Sequence, residues 1–207
     1  LVNAGDVFRE LAMPIDVLVK PHLASESGLW DVRGDLPVVA NWRPDAVTVR
    51  RYEADDELLH ALALLELVDV NDVALQIASQ QELKMEFKMM PMGTLAMFTS
   101  GPSVNVNERL RNEDSRILAT VLAHELRHFE DYMRGTIVTG PKGCLDAETR
   151  AIMREADTWT RLVGSRGLHP APSRLARIEN LRAAVYANGV EAIEGLVSRL
   201  YREACGL

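Results

Sequence analysis

Cysteine is almost absent: Cys144 and Cys205 are the only two in 207 residues, too few for a disulfide framework and far apart in sequence. They read as idle thiols of a reduced cytoplasmic protein. Aromatic residues make up only 5% of the chain and no positive excess exists, the net charge being −7. A surface that tracks nucleic-acid phosphates needs the opposite sign, so a nucleic-acid partner is excluded. No apolar run approaches the length of a membrane span, which excludes a bilayer partner. Asp6, Arg9, Glu10 and Asp16 break up the first twenty residues, so no intact signal-peptide core stands there. What remains is 47% hydrophobic and 26% charged, the composition of one globular domain with a real core.

Histidine is scarce too, five in all, yet two stand four apart in Thr120-Val121-Leu122-Ala123-His124-Glu125-Leu126-Arg127-His128-Phe129-Glu130. On a helix they lie about 40° apart, so both imidazoles reach one metal ion. Glu125 flanks that position and suits the polarisation of a water. A shuffled chain of this composition would contain H-E-x-x-H in roughly one case in a hundred, so context must support it. Residues 115 to 133 hold no Pro or Gly, follow the acidic Glu113-Asp114, and precede Gly135: start and stop signals of a helix. Ile117, Val121, His124, His128 and Tyr132 share its inward face, and Arg116, Arg127, Glu130 and Asp131 the other.

A catalytic zinc site takes three protein ligands and leaves a position open. The metzincin spacing fails, because Asp131 and Arg134 stand where Gly and His would be needed. The third ligand is then sought on the helix expected from Asp146 to Trp159. Glu148, Ile152 and Glu155 lie along one face of it, with Asp157 almost opposite; Glu148 is the expected ligand and Glu155 the alternative. The small Ala151 allows close approach of this helix to the first.

HELRH followed by Glu148-Thr149-Arg150-Ala151 resembles the zincin metallopeptidases of the glutamate-ligand (gluzincin) type. The approach through Val104-Asn105-Val106-Asn107 is similar in outline to the ImmA/IrrE-like branch. The resemblance covers about residues 94 to 159 and only its HExxH is specific. It implies one Zn2+ per chain held by His124, His128 and Glu148, with Glu125 as general base and acid in the hydrolysis of a peptide or protein substrate. In one respect the chain departs from the thermolysin-like pattern. Ile152 occupies the position of the aspartate that orients a zinc histidine, leaving that support unassigned.

Along the chain, Asp6 to Met13 reads as a short helix, residues 22 to 44 as irregular, and Ala46 to Tyr52 as a strand. Asp55 to Val68 reads as a buried helix, and Val73 to Ala78, Glu82 to Met89, Thr94 to Thr99 and Val104 to Asn107 as strands. Gly135 to Gly143 reads as a loop, and Ser173 to Ala187 and Val190 to Ala204 as a two-helix tail. The expected architecture is α+β: a small, mostly antiparallel sheet packed on the HELRH helix, completed by the Glu148 helix and the tail. Residues 1–54 read as an N-terminal subdomain or lid and 173–207 as the helical tail of a single domain. The resemblance implies that an edge strand, Leu95 to Phe98 or Val104 to Val106, lines the cleft and pairs with extended substrate.

Tyr132, His169, Arg150 and Arg154 are the geometric candidates to stabilise an oxyanion, His169 also as a fourth ligand. A Cys144 thiolate can in principle close the open position, although an idle thiol is commoner. His22 and His60 read as packing or surface residues, and the methionines at 85, 89, 90, 92 and 97 as core filling. The alternatives are a non-catalytic zincin-fold module with a structural metal and a partner in its cleft, and a metal-free helical interaction protein.

Overall fold

The computed structural model describes residues 53–68, 72–81, 83–99, 103–136, 139–164 and 173–207. The helix expected at Asp6 to Met13, the strand expected at Ala46 to Tyr52 and His22 lie outside the described residues, as does His169.

Four strands and six helices alternate unevenly along the described chain. They are β1 (Glu53–Ala54), α1 (Asp56–Val68), α2 (Val73–Gln80), β2 (Lys84–Lys88), β3 (Ala96–Thr99), β4 (Ser103–Asn107), α3 (Ser115–Met133), α4 (Gly140–Gly164), α5 (Arg174–Tyr186) and α6 (Val190–Leu200). A short 3-10 turn, Glu108–Leu110, joins β4 to α3. The α+β class expected from the sequence is what the chain adopts.

Two expectations fail together. Val73 to Ala78 alternates apolar and small residues and was expected as a strand, but it is the helix α2. Asp72 caps it by accepting the Leu75 amide at 3.0 Å, and Ala74, Leu75 and Ala78 bury one helical face. A cap and a buried face at helical spacing outweigh a short run of period two. With two helices between β1 and β2, the connection is a crossover, and crossovers give parallel neighbours. The sheet therefore is mixed and not mostly antiparallel. Its order is β1-β2-β4-β3, with β1–β2 and β2–β4 parallel and only β3–β4 antiparallel. Among the described residues, β3 is left as an open edge.

Helix α3 is fixed at both ends by its own sequence. Asp114 accepts the Arg116 amide at 2.8 Å and pairs with the buried Arg116 guanidinium at 2.7 Å. At the other end Gly135 takes a φ of 64°, so its amide reaches Tyr132 O at 3.0 Å and the Thr136 amide reaches Asp131 O at 2.9 Å. That is the Schellman arrangement, which a glycine makes at no steric cost. α4 starts earlier than the sequence suggested, at Gly140. Pro141 sits in its first turn, where a missing amide costs nothing.

The core gathers α1, α2, α3 and the inner face of β2 and β4, with Leu58, Leu62, Met85, Val104, Leu122 and Phe129 buried. Ile152 of α4, Val185 of α5 and Ile193, Leu196 and Val197 of α6 form a second, smaller cluster. Phe98 on β3 lies between Phe129, with ring centroids 5.7 Å apart, and Tyr132, at 5.5 Å. These contacts hold the edge strand against α3. Replacing Phe129, fully buried, with alanine is expected to cost about 3–5 kcal/mol in denaturant unfolding. A loss below about 1 kcal/mol would show that β3 does not depend on this wedge.

The outer face of α3 is charged and yet largely buried. Glu130 and Asp131 are buried because α3 and α4 supply counter-charges. Arg127 contacts both at 3.0 and 2.9 Å, Arg134 contacts Glu130 at 2.7 Å, and Arg150 contacts Asp131 at 2.7 Å. Arg154 adds Glu130 at 3.3 Å and Asp72. Removing one buried partner of such a network leaves its arginines uncompensated. Asp131→Ala is expected to lower unfolding free energy by about 2 kcal/mol, and an unchanged denaturation midpoint would contradict that assignment.

Candidate metal centre

A cleft of about 450 Å³ opens between β3 and α3. Leu95 to Phe98 form one wall; Val121, His124, Glu125 and His128 of α3 form the floor. Glu148 and Glu155 of α4, Arg182 of α5 and Tyr201 close the far side. Of the two stretches expected to line it, Leu95 to Phe98 does and Val104 to Val106 does not.

His124, His128 and Glu148 converge. The two Nε2 atoms are 3.2 Å apart, and the Glu148 carboxylate stands 3.4 Å from His124 Nε2 and 3.5 Å from His128 Nε2. One donor atom from each residue fits within 4.8 Å of the others. Donors about 2.0–2.1 Å from a tetrahedral ion sit about 3.3 Å apart, so the spacing suits a single zinc. A second sign is that Glu148 Oε2 is buried without a hydrogen-bond partner, an orphaned acceptor aimed at the cluster.

Glu155, the alternative ligand, has another place. Its Oε2 lies 3.1 Å from His124 Nδ1. Burial alone would raise this carboxyl, but Arg182 and His124 outweigh it and hold the group ionised, below its ordinary value. An ionised carboxylate only accepts, so Nδ1 carries a proton towards Glu155, and it is Nε2 that gives up its proton when the ring turns a lone pair to a metal. The position two turns after Glu148 thus supplies the support that Ile152 cannot give. Arg182 pairs with Glu155 and, at 2.8 Å, with Glu179. Burial, reinforced by the Glu155 charge, pushes Glu179 up to about 8. Glu155→Ala is expected to weaken zinc binding about 10–100-fold in chelator competition; unchanged affinity would remove Glu155 from the support of His124.

The surroundings of the two rings pull them in opposite directions. Burial opposes charge on His124, but Glu148 and Glu155 outweigh it and hold this ring well above its ordinary value. Burial and the His124 charge then push His128 down to about 4. Glu125 lies beside them, its carboxyl raised chiefly by burial and opposed by His124 and by the Phe98 amide. That amide donates to Glu125 Oε2 at 2.7 Å, which fixes the carboxylate between edge strand and cluster.

Other expected site residues are elsewhere. Tyr132 is 39% exposed, packs on Phe98, and does not line the cleft. Arg150 and Arg154 are engaged with Asp131, Glu130 and Asp72 on the far side of α3. Met85 is core, Met97 lines the cleft, and Met89 and Met92 are exposed rather than core filling. Cys144 is no idle thiol: it is bonded to Cys205. The expectation of reduced cysteines failed because sequence separation says nothing of spatial distance, and the α4 start and the chain end meet with Cα atoms 5.6 Å apart.

Two cleft residues, Arg182 and Tyr201, were not anticipated. Arg182 had a signal. On α5 the buried face reads Leu175, Ile178, Glu179, Arg182, Val185, with an acid and a base at core positions, and such charges need partners from another element. Tyr201 had none, since it ends an ordinary amphipathic helix. Its phenol is raised by burial and by Glu148, so it stays a hydrogen-bond donor at neutrality.

Comparison with protein-family models, with curated proteins and with solved structures finds no match for this chain. Among the described residues, no helix is long and apolar enough to cross a membrane.

Proposed function

We propose that this chain is a zinc-dependent peptide hydrolase of the zincin type. The observation that carries the reading is the convergence of His124, His128 and Glu148 within 4.8 Å, with Glu125 beside them. Three donors leave a fourth position open, as catalytic sites do and structural sites do not.

Zinc held by these residues supplies Lewis acidity and brings the pKa of a water towards neutrality. Glu125 takes the proton of the attacking water and returns it to the leaving amine, a role suited to a carboxyl that burial has raised. Glu155 keeps the His124 ring in one orientation and one tautomer. Extended substrate adds to the open edge of β3. Leu95 O is turned inward, accepting the Asn107 amide at 2.8 Å, so by strand alternation Ala96 and Phe98 present backbone groups to the cleft. The Phe98 amide already serves Glu125, leaving the Ala96 amide and two carbonyls for a peptide.

The expectation of a cytoplasmic protein rested on idle thiols. With Cys144 and Cys205 bonded, an oxidising compartment is the better placement.

The test is hydrolysis of a quenched-fluorescence peptide library by zinc-loaded protein. Cleavage is expected to cease with a chelator and return with zinc. Cleavage indifferent to metal removal, or none by the loaded protein, would contradict the proposal.

A further inference from the structure

The last turn of the chain brings a tyrosine to the cleft and a cysteine to α4. After α6 ends at Leu200, Arg202, Glu203, Ala204, Gly206 and Leu207 are all exposed. Only Tyr201, half-buried in the cleft wall, and Cys205, 8% exposed, turn inward. Cys205 is four residues past Tyr201, with its amide bonded to Tyr201 O at 2.8 Å. Cys144 is four residues before Glu148 on α4. The bridge therefore joins the turn before the third metal donor to the turn after the tyrosine. Every described cleft residue contributed after α3, namely Glu148, Glu155, Arg182 and Tyr201, lies inside the loop it closes.

We propose that the Cys144–Cys205 disulfide is a redox latch that positions Tyr201 in the cleft, where its hydroxyl donates a hydrogen bond to the oxygen that gains charge during hydrolysis. The latch itself stands on the fold; the role of Tyr201 in turnover rests on the hydrolytic reading above. The groups around the phenol are Glu125 of α3, Glu148 and Glu155 of α4, and Arg182 of α5. A neutral donor suits that setting better than a second cation would, because Arg182 is already committed to Glu155 and Glu179. Reduction by a dithiol breaks the S–S bond with two electrons and two protons. Cys144 and Cys205 become thiols while the donor closes to its own disulfide. Among the described residues, the segment after α6 is then tied down by Tyr201 and its own turn hydrogen bonds alone, and a short segment with so few buried contacts opens readily.

A phosphine reductant tests this without competing for zinc as thiols do; it takes oxygen from water and becomes the phosphine oxide. Hydrogen exchange over residues 201–207 and nitration of Tyr201, read by mass spectrometry on the full chain, report the latch independently of turnover. Both are expected to rise about tenfold or more on reduction, while the α3 and α4 segments around the metal donors stay protected. Unchanged exchange and nitration would overturn the latch. Reduced wild-type protein is compared with Cys205→Ser, so that a folding defect in the variant does not decide the result. On the zinc-loaded protein, reduction is expected to lower kcat roughly 100-fold with KM nearly constant. Tyr201→Phe is expected to match that loss while oxidised and to become indifferent to the reductant. A Tyr201→Phe protein that still lost rate on reduction would overturn the role of Tyr201. Redox-dependent exchange with no hydrolysis in any form would support the latch and refute the hydrolytic reading.

Discussion

Glu125→Gln is expected to keep its zinc and its fold while losing about 10³-fold in kcat. The substitution is nearly isosteric, and the amide oxygen can still accept the Phe98 amide now held at 2.7 Å by Oε2. What disappears is the ability to take a proton. A base raised by burial works near neutrality because it binds the proton of water readily and gives it up to an amine. Zinc content, far-ultraviolet dichroism and kcat on one peptide would be read together. Full turnover with zinc present would remove Glu125 from the chemistry, whatever else the site does.

His128→Ala carries the second large effect, a loss of zinc and of all turnover. His128 Nε2 is one of three converging donors, 3.2 Å from His124 Nε2 and 3.5 Å from Glu148. Burial and the neighbouring charge already favour its neutral form, the form that binds metal. Truncation leaves two donors and a gap on the floor of the cleft. Affinity measured by competition against a chromophoric chelator is expected to fall at least about 1,000-fold, roughly 4 kcal/mol. Retention of full affinity would mean that the ion sits elsewhere.

How far the sequence revealed these features depended on whether their causes were local. The limits of α3 are set by Asp114 and Gly135 acting within one turn, so they were legible. Glu148 was legible as a position on a helical face, because α4 propagates one register from its first turn. Glu155 was visible on the same face, but its bond to His124 Nδ1 depends on how α4 crosses α3, which no spacing fixes. The α2 misreading had a local cause: Val73, Leu75 and Ile77 satisfy a period of two, and the capping contact of Asp72 decided otherwise. That error hid the β1–β2 crossover, since replacing a strand with a helix turned a hairpin into a crossover, while the parallel β2–β4 pair has a separate cause, β4 lying between β2 and β3. The burial of Glu130 and Asp131, the Cys144–Cys205 bond and the arrival of Tyr201 are all long-range. They depend on elements far apart in the chain.

Zinc content of protein purified without added metal, set beside that of Glu148→Ala, tests the central claim most directly. About one zinc per wild-type chain, with most of it lost from the variant, is what three donors around one ion predict. No zinc in the wild type even after its addition, or full zinc in Glu148→Ala, would contradict it.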